Sequence, residues 1–326
     1  MAPGRGARSF IVEAADAGSR VDAFLAARLG VGRAAARALL EAGAVRIDER
    51  RLGRRHKGVC VTTGSCVAVE AFLEPGAQRA RPEPELPLEV LASGSDPSGS
   101  GGPGPIGSSG LRWLAVDKPA GRPVHPLREK EGGTLLNALI ARHPELHGVG
   151  EGGLRSGVVH RLDVDTSGIV LFATEAATWT RLREAFRAHR VEKVYRALVV
   201  GRMSGEGGLA VGLAVVRHRP ARVAVVEPGR PGARLAETRW RALAHGPGVT
   251  LLELRPRTGF LHQIRVTLAH LGHPVCGDAL YGAPGDPSGA PRQLLHAARL
   301  AVDEVEAASP DPPDFAAACA RLLDST

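Results

Sequence analysis

Apolar residues near the start of the chain recur every three to four positions, which is the spacing of one helix face. The residues on this face are Val21, Phe24, Leu25 and Leu29. Gly30 interrupts the pattern, and the Ala- and Leu-rich segment after it predicts a second helix over 33–42. Short β segments are predicted next, at 44–48, 59–61 and 66–70. The pattern indicates a small folded unit over 11–72, preceded by a disordered lead over 1–10.

A Pro- and Glu-containing linker over 73–85 precedes a larger unit over 86–326. Its predicted strands are 87–91, 111–117, 168–173, 193–200, 222–227, 234–244 and 249–255. Its predicted helices are 134–142, 176–189, 260–271 and 314–323. The Gly-, Ser- and Pro-rich segment 93–110 is predicted to be a flexible insertion within one domain. Strands and helices do not alternate regularly and no Gly-rich phosphate loop follows a strand, so the pattern favours an α+β fold without a nucleotide cofactor.

Charge adds a candidate partner to this picture. The chain has 42 Lys and Arg residues against 34 Asp and Glu residues, a formal net charge of +8. Nearly all of the basic residues are Arg, which a GC-rich genome also favours. The surplus is nevertheless concentrated, because residues 1–70 contain 12 basic and 7 acidic residues. Such a basic unit suggests a polyanionic partner.

Several classes of protein do not fit the sequence. No apolar run approaches the 18 residues of a membrane span, and the first residues lack the apolar stretch of a signal peptide. We therefore expect a cytoplasmic protein that does not contact the membrane. The four cysteines form no C-x2-C pair, and the His residues between 262 and 273 match no zinc spacing. The sequence predicts neither a disulfide framework nor a metal site.

The densest cluster of polar residues lies in segment 157–173, between two apolar stretches. It contains His160, Arg161 and Asp163, followed by Thr166 and Ser167. A polar loop held between buried strands can present a reactive group rigidly. The same residues also suit a tight turn whose side chains bond only to its own backbone. The pattern alone leaves both interpretations open.

Two further segments carry candidate functional side chains. His262, Gln263 and Arg265 lie in a predicted helix, where they suit binding of an anion or orientation of a carboxylate, or else a capped, solvated surface helix. Lys193 and Tyr195 alternate on a predicted strand and so share one face. An aromatic ring beside a basic group can stack on an exposed nucleic-acid base, although such a tyrosine is also common in a core.

Together these segments resemble the RluA family of RNA pseudouridine synthases. The strings that match are Asp117-Lys-Pro-Ala-Gly121, His160-Arg-Leu-Asp-Val-Asp-Thr-Ser-Gly168, Lys193-Val-Tyr-Arg-Ala197, Thr258-Gly-Phe-Leu-His-Gln-Ile-Arg265, Gly272-His-Pro-Val-Cys-Gly-Asp278 and Leu294-Leu-His-Ala297. They occur in the family's order and the resemblance covers about 86–323. Residues 18–70 resemble, more weakly, the small α/β RNA-binding domain of S4 type, with its αL motif, that precedes the catalytic domain in many members.

The resemblance implies an α+β pseudouridine synthase fold with a mixed, largely antiparallel sheet. It implies isomerisation of uridine in structured RNA, with 23S rRNA as the first expected substrate and tRNA as the second, and without a cofactor or metal. Asp163 corresponds to the catalytic aspartate, as nucleophile or base, and Arg265 to the arginine that pairs with it. Tyr195 corresponds to the tyrosine that packs on the target base, and Arg161 to the residue that fills the space of the flipped-out nucleotide. The other residues expected to contact RNA are His160, Lys193, His262, Gln263, Arg20, Arg33 and Arg37.

The sequence departs from the family pattern at a few places. Phe260 stands where the family usually has Arg, Thr267 stands where His is common, and segment 93–110 lengthens a usually short turn. A different hypothesis is a non-catalytic RNA-binding or ribosome assembly factor on the same fold, which loss of Asp163 or Arg265 would have favoured. A hydrolase is a third hypothesis, but no second placed carboxylate or nucleophile elbow accompanies Asp163. We expect the protein to act as a monomer.

Overall fold

The computed structural model describes residues 7–31, 33–56, 58–70, 78–95, 111–218 and 220–323. In these ranges the strands form two separate sheets, one of four strands and one of ten. Each sheet has its own buried cluster or clusters of apolar residues. No helix in these ranges is long and apolar enough to cross a membrane.

The small sheet contains β1 (Arg8–Ile11), β2 (Val45–Ile47), β3 (Arg50–Leu52) and β4 (Cys66–Val69), in the order β1-β4-β2-β3. Helices α1 (Val21–Leu29) and α2 (Arg33–Glu41) pack against it. The predicted helical stripe is buried in this core, and Gly30 ends α1 in the left-handed conformation at φ 65°. The predicted lead differs from the structure, because Arg8–Ile11 pairs antiparallel with β4 along its whole length. The predicted segment 59–61 contributes only an isolated bridge between Arg20 and Cys60.

The large sheet has the order β10-β9-β11-β12-β8-β13-β7-β6-β5, with β14 beside β13. Its strands are β5 (Glu89–Ser95), β6 (Leu111–Lys118), β7 (Ser167–Ala173), β8 (Glu192–Val200), β9 (Glu206–His218), β10 (Ala221–Val226), β11 (Arg234–Gly246), β12 (Val249–Pro256), β13 (Leu295–Val302) and β14 (Val305–Ala308). Within the described residues, β13 and β7 are parallel and the other paired strands are antiparallel. The predicted α+β fold with a mixed, largely antiparallel sheet is confirmed.

Helices cover both faces of this sheet. They are α3 (Leu135–Arg142), α4 (Ala176–Arg187), α5 (Gln263–His270) and α6 (Pro313–Leu322). Alternate residues of β6 and β7 pack with α3 on one face and with α4 on the other. Further along the sheet, alternate residues of β8 and β12 pack with α5 on one face and with α6 on the other. The central strands are therefore buried on both sides and form a rigid base for the loops at their ends.

Some predicted boundaries differ from the structure for physical reasons. Strand β9 was not predicted because it begins with glycines, which are poor strand formers. Gly207 is needed there, since a Cβ at this position would lie 2.5 Å from the ring of Trp240. The linker predicted over 73–85 belongs in part to the larger unit, because Asn137 of α3 bonds the carbonyl of Arg81 at 2.7 Å. The insertion predicted over 93–110 contributes its first residues to β5, and the rest lies outside the described residues.

Candidate active site

The loop that carries Asp163 is tied to the rest of the larger unit at each of the four residues that follow. These contacts are Lys118 Nζ to Val164 O (2.6 Å), Arg292 Nη1 to Asp165 O (3.1 Å), Gln293 Nε2 to Thr166 Oγ1 (2.8 Å) and Ser167 Oγ with His296 Nδ1 (3.0 Å). Thr166 N–H also donates to Asp163 O at 3.1 Å and closes the turn. The backbone on which the Asp163 side chain stands is therefore fixed from several directions.

Lys118, one of these tethers, is fully buried. Its ammonium donates to the carbonyls of Pro119, Arg122 and Val164 at 2.6–3.0 Å. Burial lowers the pKa of Lys118 to about 7, and the nearby carboxylates of Asp165 and Asp163 oppose that shift. The Asp117-Lys-Pro-Ala-Gly121 string, noticed in the sequence without an assigned role, thus supports the Asp163 loop.

Gly168 closes the same loop where it enters β7. Its φ is 110°, and a Cβ here would lie 2.3 Å from the carbonyl oxygen of Ala297. Both the left-handed backbone and the close approach of β13 require glycine. The end of the Thr-Ser-Gly string is therefore explained by packing.

Arg265 lies between two carboxylates. Its Nη1 donates to Asp163 Oδ2 at 2.9 Å, while Nε and Nη2 donate to Asp278 at 2.7 and 2.8 Å. The side chains of Arg265 and Asp278 are 8% and 0% exposed. Burial alone would raise the pKa of Asp278, but the hydrogen bonds and charge of Arg265 lower it below its ordinary value. The pairing of Arg265 with Asp163, implied by the resemblance, is present in the structure.

Asp278 was not assigned a role from the sequence, although it ends one of the matching strings. The signal was its place at the end of the Gly272–Asp278 string. Its carboxylate also accepts the backbone N–H groups of Leu280 and Tyr281 at 2.9 and 3.0 Å. Asp278 thus fixes the position of Arg265 and the turn that follows.

Tyr195 and Lys193 extend from β8 into the same cleft as Asp163. Burial, together with the charge of Asp163, raises the pKa of Tyr195, so its phenol stays protonated. Lys193 Nζ donates to the carbonyl of Thr258 at 2.8 Å, and burial lowers the pKa of Lys193 to about 8. The predicted sharing of one strand face agrees with these positions.

His262 begins the segment that becomes α5. It has φ 53° and precedes the first helical residue, so the helix begins at Gln263 and not at the predicted 260. His262 Nδ1 lies 2.9 Å from Tyr281 Oη, and its Nε2 lies 4.0 Å from Asp163 Oδ1. Burial lowers the pKa of His262 although the charge of Asp163 opposes the shift, which favours the neutral imidazole.

Two residues expected to contact RNA use their polar atoms inside the protein. The amide of Gln263 accepts from Thr258 Oγ1 and Phe260 N and donates to Glu237 O and Thr238 Oγ1, at 2.8–3.0 Å. His160 Nε2 accepts the N–H of Leu171 at 3.1 Å, and its ring stacks on Phe186 with centroids 4.8 Å apart. Burial lowers the pKa of His160 to about 3, so it is neutral. These side chains line the cleft and hold its walls.

Two of the three departures from the family pattern lie on α5 and on the loop before it. Phe260 packs partly buried against the apolar cluster below β9–β11, and its N–H donates to Gln263 Oε1 at 3.0 Å. Thr267 is buried, and its hydroxyl lacks a hydrogen-bond partner within the described part of the chain. Within the described residues, neither Phe260 nor Thr267 is hydrogen-bonded to the side chain of Asp163 or Arg265.

The cleft around Asp163 has a volume of about 520 Å³, within the range of ligand sites. Its floor holds Asp163, Tyr195 and Arg265, and Arg161 also lines it. Basic residues form part of its rim; they are Arg155, Arg183 and Arg187. Within the described ranges, no group of three His, Cys, Asp or Glu side chains is arranged to hold a metal ion.

The arginines predicted to bind RNA in the small unit have different environments. Asp22, whose side chain is 1% exposed, accepts from Arg20 Nε at 3.1 Å and from Arg37 Nε at 2.8 Å. Burial alone would raise the pKa of Asp22, but these two bonds lower it. Arg33 is exposed at the start of α2. Arg20 and Arg37 therefore also stabilise the fold, whereas Arg33 lies at the surface.

The cleft combines a carboxylate paired with a buried arginine, a tyrosine that stays protonated and basic lining residues, a set that suits an enzyme acting on an anionic substrate. Comparison with known proteins gives the family. The profile of the family described as RNA pseudouridylate synthase matches residues 112–270. A Mycobacterium bovis protein described as an uncharacterized RNA pseudouridine synthase is 34% identical over 323 residues, covering 94% of this chain and 96% of that protein.

Other similar proteins are also described as pseudouridine synthases. The ribosomal large subunit pseudouridine synthase D of Yersinia pestis is 36% identical over 254 residues, covering 74% of this chain and 70% of that protein. An uncharacterized RNA pseudouridine synthase of Chloroflexus aurantiacus is 44% identical, and that match spans 56% of each chain. The solved structure of human RNA pseudouridylate synthase domain containing 1 superposes with a TM-score of 0.54 at 26% identity, covering 72% of this chain and 90% of that one. The chain belongs to the RNA pseudouridine synthase family, as the sequence predicted.

Proposed function

We propose that this protein isomerises specific uridines of large-subunit ribosomal RNA to pseudouridine, with Asp163 as the essential catalytic carboxylate. The observation that carries the proposal is the 2.9 Å contact between Asp163 and a buried Arg265, at the floor of a cleft lined by Tyr195. The relatives from Yersinia pestis and Nitrosomonas europaea are described as ribosomal large subunit pseudouridine synthases. That description favours rRNA over tRNA as the substrate.

The reaction breaks the N-glycosidic bond, turns the uracil and joins its C5 to the same sugar carbon, so nothing is added or removed overall. An attack on the sugar and the removal of its 2′ proton both require the Asp163 carboxylate in its charged form. Arg265 donates to Asp163 Oδ2 and leaves Oδ1 facing His262. The ring of Tyr195 supplies an apolar surface against which the flipped base can pack.

The N-terminal unit is proposed to be an S4-like RNA-binding domain. The concentration of 12 basic against 7 acidic residues in 1–70 supports this role, because neutralised phosphates contribute most of the sequence-independent affinity for RNA. In this proposal the unit docks the chain on rRNA in the cytoplasm, while the larger unit takes the target nucleotide into its cleft.

Mapping pseudouridines tests the proposed function. In rRNA from a strain lacking the gene, one or a few uridines of the large-subunit RNA are expected to be unmodified, and the gene supplied in trans is expected to restore them. A pseudouridine lost from tRNA instead would identify the second substrate. An unchanged pseudouridine map together with defective ribosome assembly would favour the non-catalytic assembly factor and contradict the proposal.

Removing positive charge from the N-terminal unit is expected to weaken RNA binding in a salt-dependent way. Arg33 and Arg46 are both exposed in this unit. If each neutralises a phosphate, the Arg33→Ala/Arg46→Ala variant lowers the slope of log affinity against log salt by about two units. Filter binding of an rRNA fragment at several salt concentrations measures the slope.

A matched variant controls for net charge. Arg299→Ala/Arg321→Ala removes the same charge from β13 and α6 of the larger unit and is expected to leave the slope nearly unchanged. Equal slopes for the wild type and for the Arg33→Ala/Arg46→Ala variant would argue against RNA binding by these two positions of the N-terminal unit.

A further inference from the structure

Tyr281 connects the hairpin formed by β9 and β10 to the catalytic cleft. Its Oη accepts the N–H of Val223 in β10 at 2.9 Å and lies 2.9 Å from His262 Nδ1. Two guanidinium groups lie over its ring: that of Arg222 on the hairpin, 5.9 Å from the ring centroid, and that of Arg265 in the cleft, 5.3 Å from it. One side chain therefore contacts the hairpin, the histidine beside Asp163 and the arginine that pairs with Asp163.

The hydrogen bonds define where the proton of His262 lies. The lowered pKa of His262 leaves one proton on the ring, and the charged groups that face it are Asp163, Asp278, Arg265 and Arg161. The carboxylate of Asp163 faces Nε2, so the proton is favoured on Nε2, and Nδ1 then accepts from the Tyr281 hydroxyl. The lone pairs of Tyr281 Oη remain available for Val223 N–H. The chain of donors runs from Val223 through Tyr281 and His262 towards Asp163.

The last step of this chain is open in the structure. The 4.0 Å between His262 Nε2 and Asp163 Oδ1 is about 1 Å longer than a normal hydrogen bond. A small movement of the His262 ring would complete it. Such a bond would give the Asp163 carboxylate a second oriented donor, in addition to Arg265.

The hairpin is a basic, exposed element at the edge of the sheet. Arg217 and Arg222 are exposed near its tip, on either side of the turn. The register of the two strands shifts between Arg222 and Val223, directly at the residue that bonds Tyr281. A phosphate bound by these arginines would therefore act on the backbone N–H that orients the Tyr281 hydroxyl.

We propose that Tyr281 is a positioning residue that fixes His262 as an Nε2–H donor to Asp163 and makes this donor respond to RNA backbone bound on the β9–β10 hairpin. The proposal rests on the proposed function, because it concerns the same carboxylate. Its consequence is that RNA held at a distance from the target base improves the catalytic step as well as the binding step.

Tyr281→Phe tests the link, since it keeps the ring and both guanidinium contacts and removes only the hydroxyl. With saturating RNA that carries the mapped uridine, the single-turnover rate is expected to fall about tenfold. The dissociation constant for RNA and the melting temperature are expected to stay close to those of the wild type. A residue that only stabilises the fold would instead lower the melting temperature without changing the rate.

Two further variants test whether Tyr281, His262 and Arg222 act through one chain of hydrogen bonds or independently of each other. The effect of Tyr281→Phe is expected to be largely absent in a His262→Asn background, because both changes break the same chain of donors. Arg222→Ala is expected to lower the saturating rate in the wild-type background but not in the Tyr281→Phe background. An unchanged saturating rate for Tyr281→Phe, or losses that multiply in the double variants, would overturn the inference. A wild-type protein that forms no pseudouridine would overturn the proposed function instead.

Discussion

Replacing Asp163 with asparagine is expected to abolish pseudouridine formation, with a loss of roughly 10⁴-fold or more in the single-turnover rate. Asparagine has the same shape but carries no charge, so it neither attacks the sugar nor accepts its proton. The loop itself is expected to keep its conformation, because its tethers reach residues 164–167 and not the Asp163 side chain. A tritium-release or mass-spectrometric assay on the mapped rRNA fragment measures the rate.

The RNA affinity of this variant is expected to equal or slightly exceed that of the wild type, because one negative charge leaves a basic cleft. Asp165→Asn is the matched control: it lies two residues further along the same loop, is exposed, contacts Arg292 through its backbone carbonyl, and acts on Lys118 through its charge. It removes the same charge and is expected to keep most of the activity. Substantial activity of Asp163→Asn, or equal losses in both variants, would contradict a catalytic role for Asp163.

The sequence identified the residues at the centre of the cleft but not what holds them. Asp163, Tyr195 and Arg265 were singled out from three separate strings, and the fold brings them to one cleft. The tethers from Arg292, Gln293 and His296 join residues about 127 positions apart in the chain. Local periodicity contains no information on such pairs, and only the string Leu294-Leu-His-Ala297 marked that region.

The polar residues of the Thr258–Arg265 string have two different roles: one holds the protein together and the other faces the catalytic carboxylate. Gln263 and Arg265 lie two positions apart in α5 and both are buried, yet the Gln263 amide is saturated by loop and strand groups while Arg265 faces Asp163. Sequence spacing placed both residues near a cleft. Which of them is used inside the protein and which faces Asp163 depends on the strands that pack against α5. The same limit applies to Asp278, whose role follows from its burial against Arg265.

Replacing Arg265 with methionine is expected to destabilise the larger unit by about 3–5 kcal/mol near neutral pH and to remove activity. The loss comes mainly from Asp278, whose fully buried carboxylate would keep two backbone N–H donors but lose its charged partner. Urea unfolding followed by circular dichroism measures the stability. Because the cost arises from the isolated charge, the Arg265→Met/Asp278→Asn double variant is expected to lose much less than the sum of its single changes.

The stability that Arg265→Met loses is expected to depend on pH, and the sign of that dependence follows from the pKa of Asp278. In the wild type the pKa of Asp278 is lowered, so its contribution to stability is complete above the unfolded value near 3.8 and is lost as the pH falls through the folded value. In Arg265→Met the guanidinium that lowers the pKa of Asp278 is gone while burial still raises it, so the pKa of Asp278 is expected to rise and protonation at lower pH to relieve part of the cost. The difference in unfolding free energy between wild type and variant is therefore expected to narrow from pH 8 to pH 5. A difference that stays constant over this range, together with an additive double variant, would show that Asp278 does not depend on Arg265 for its charge.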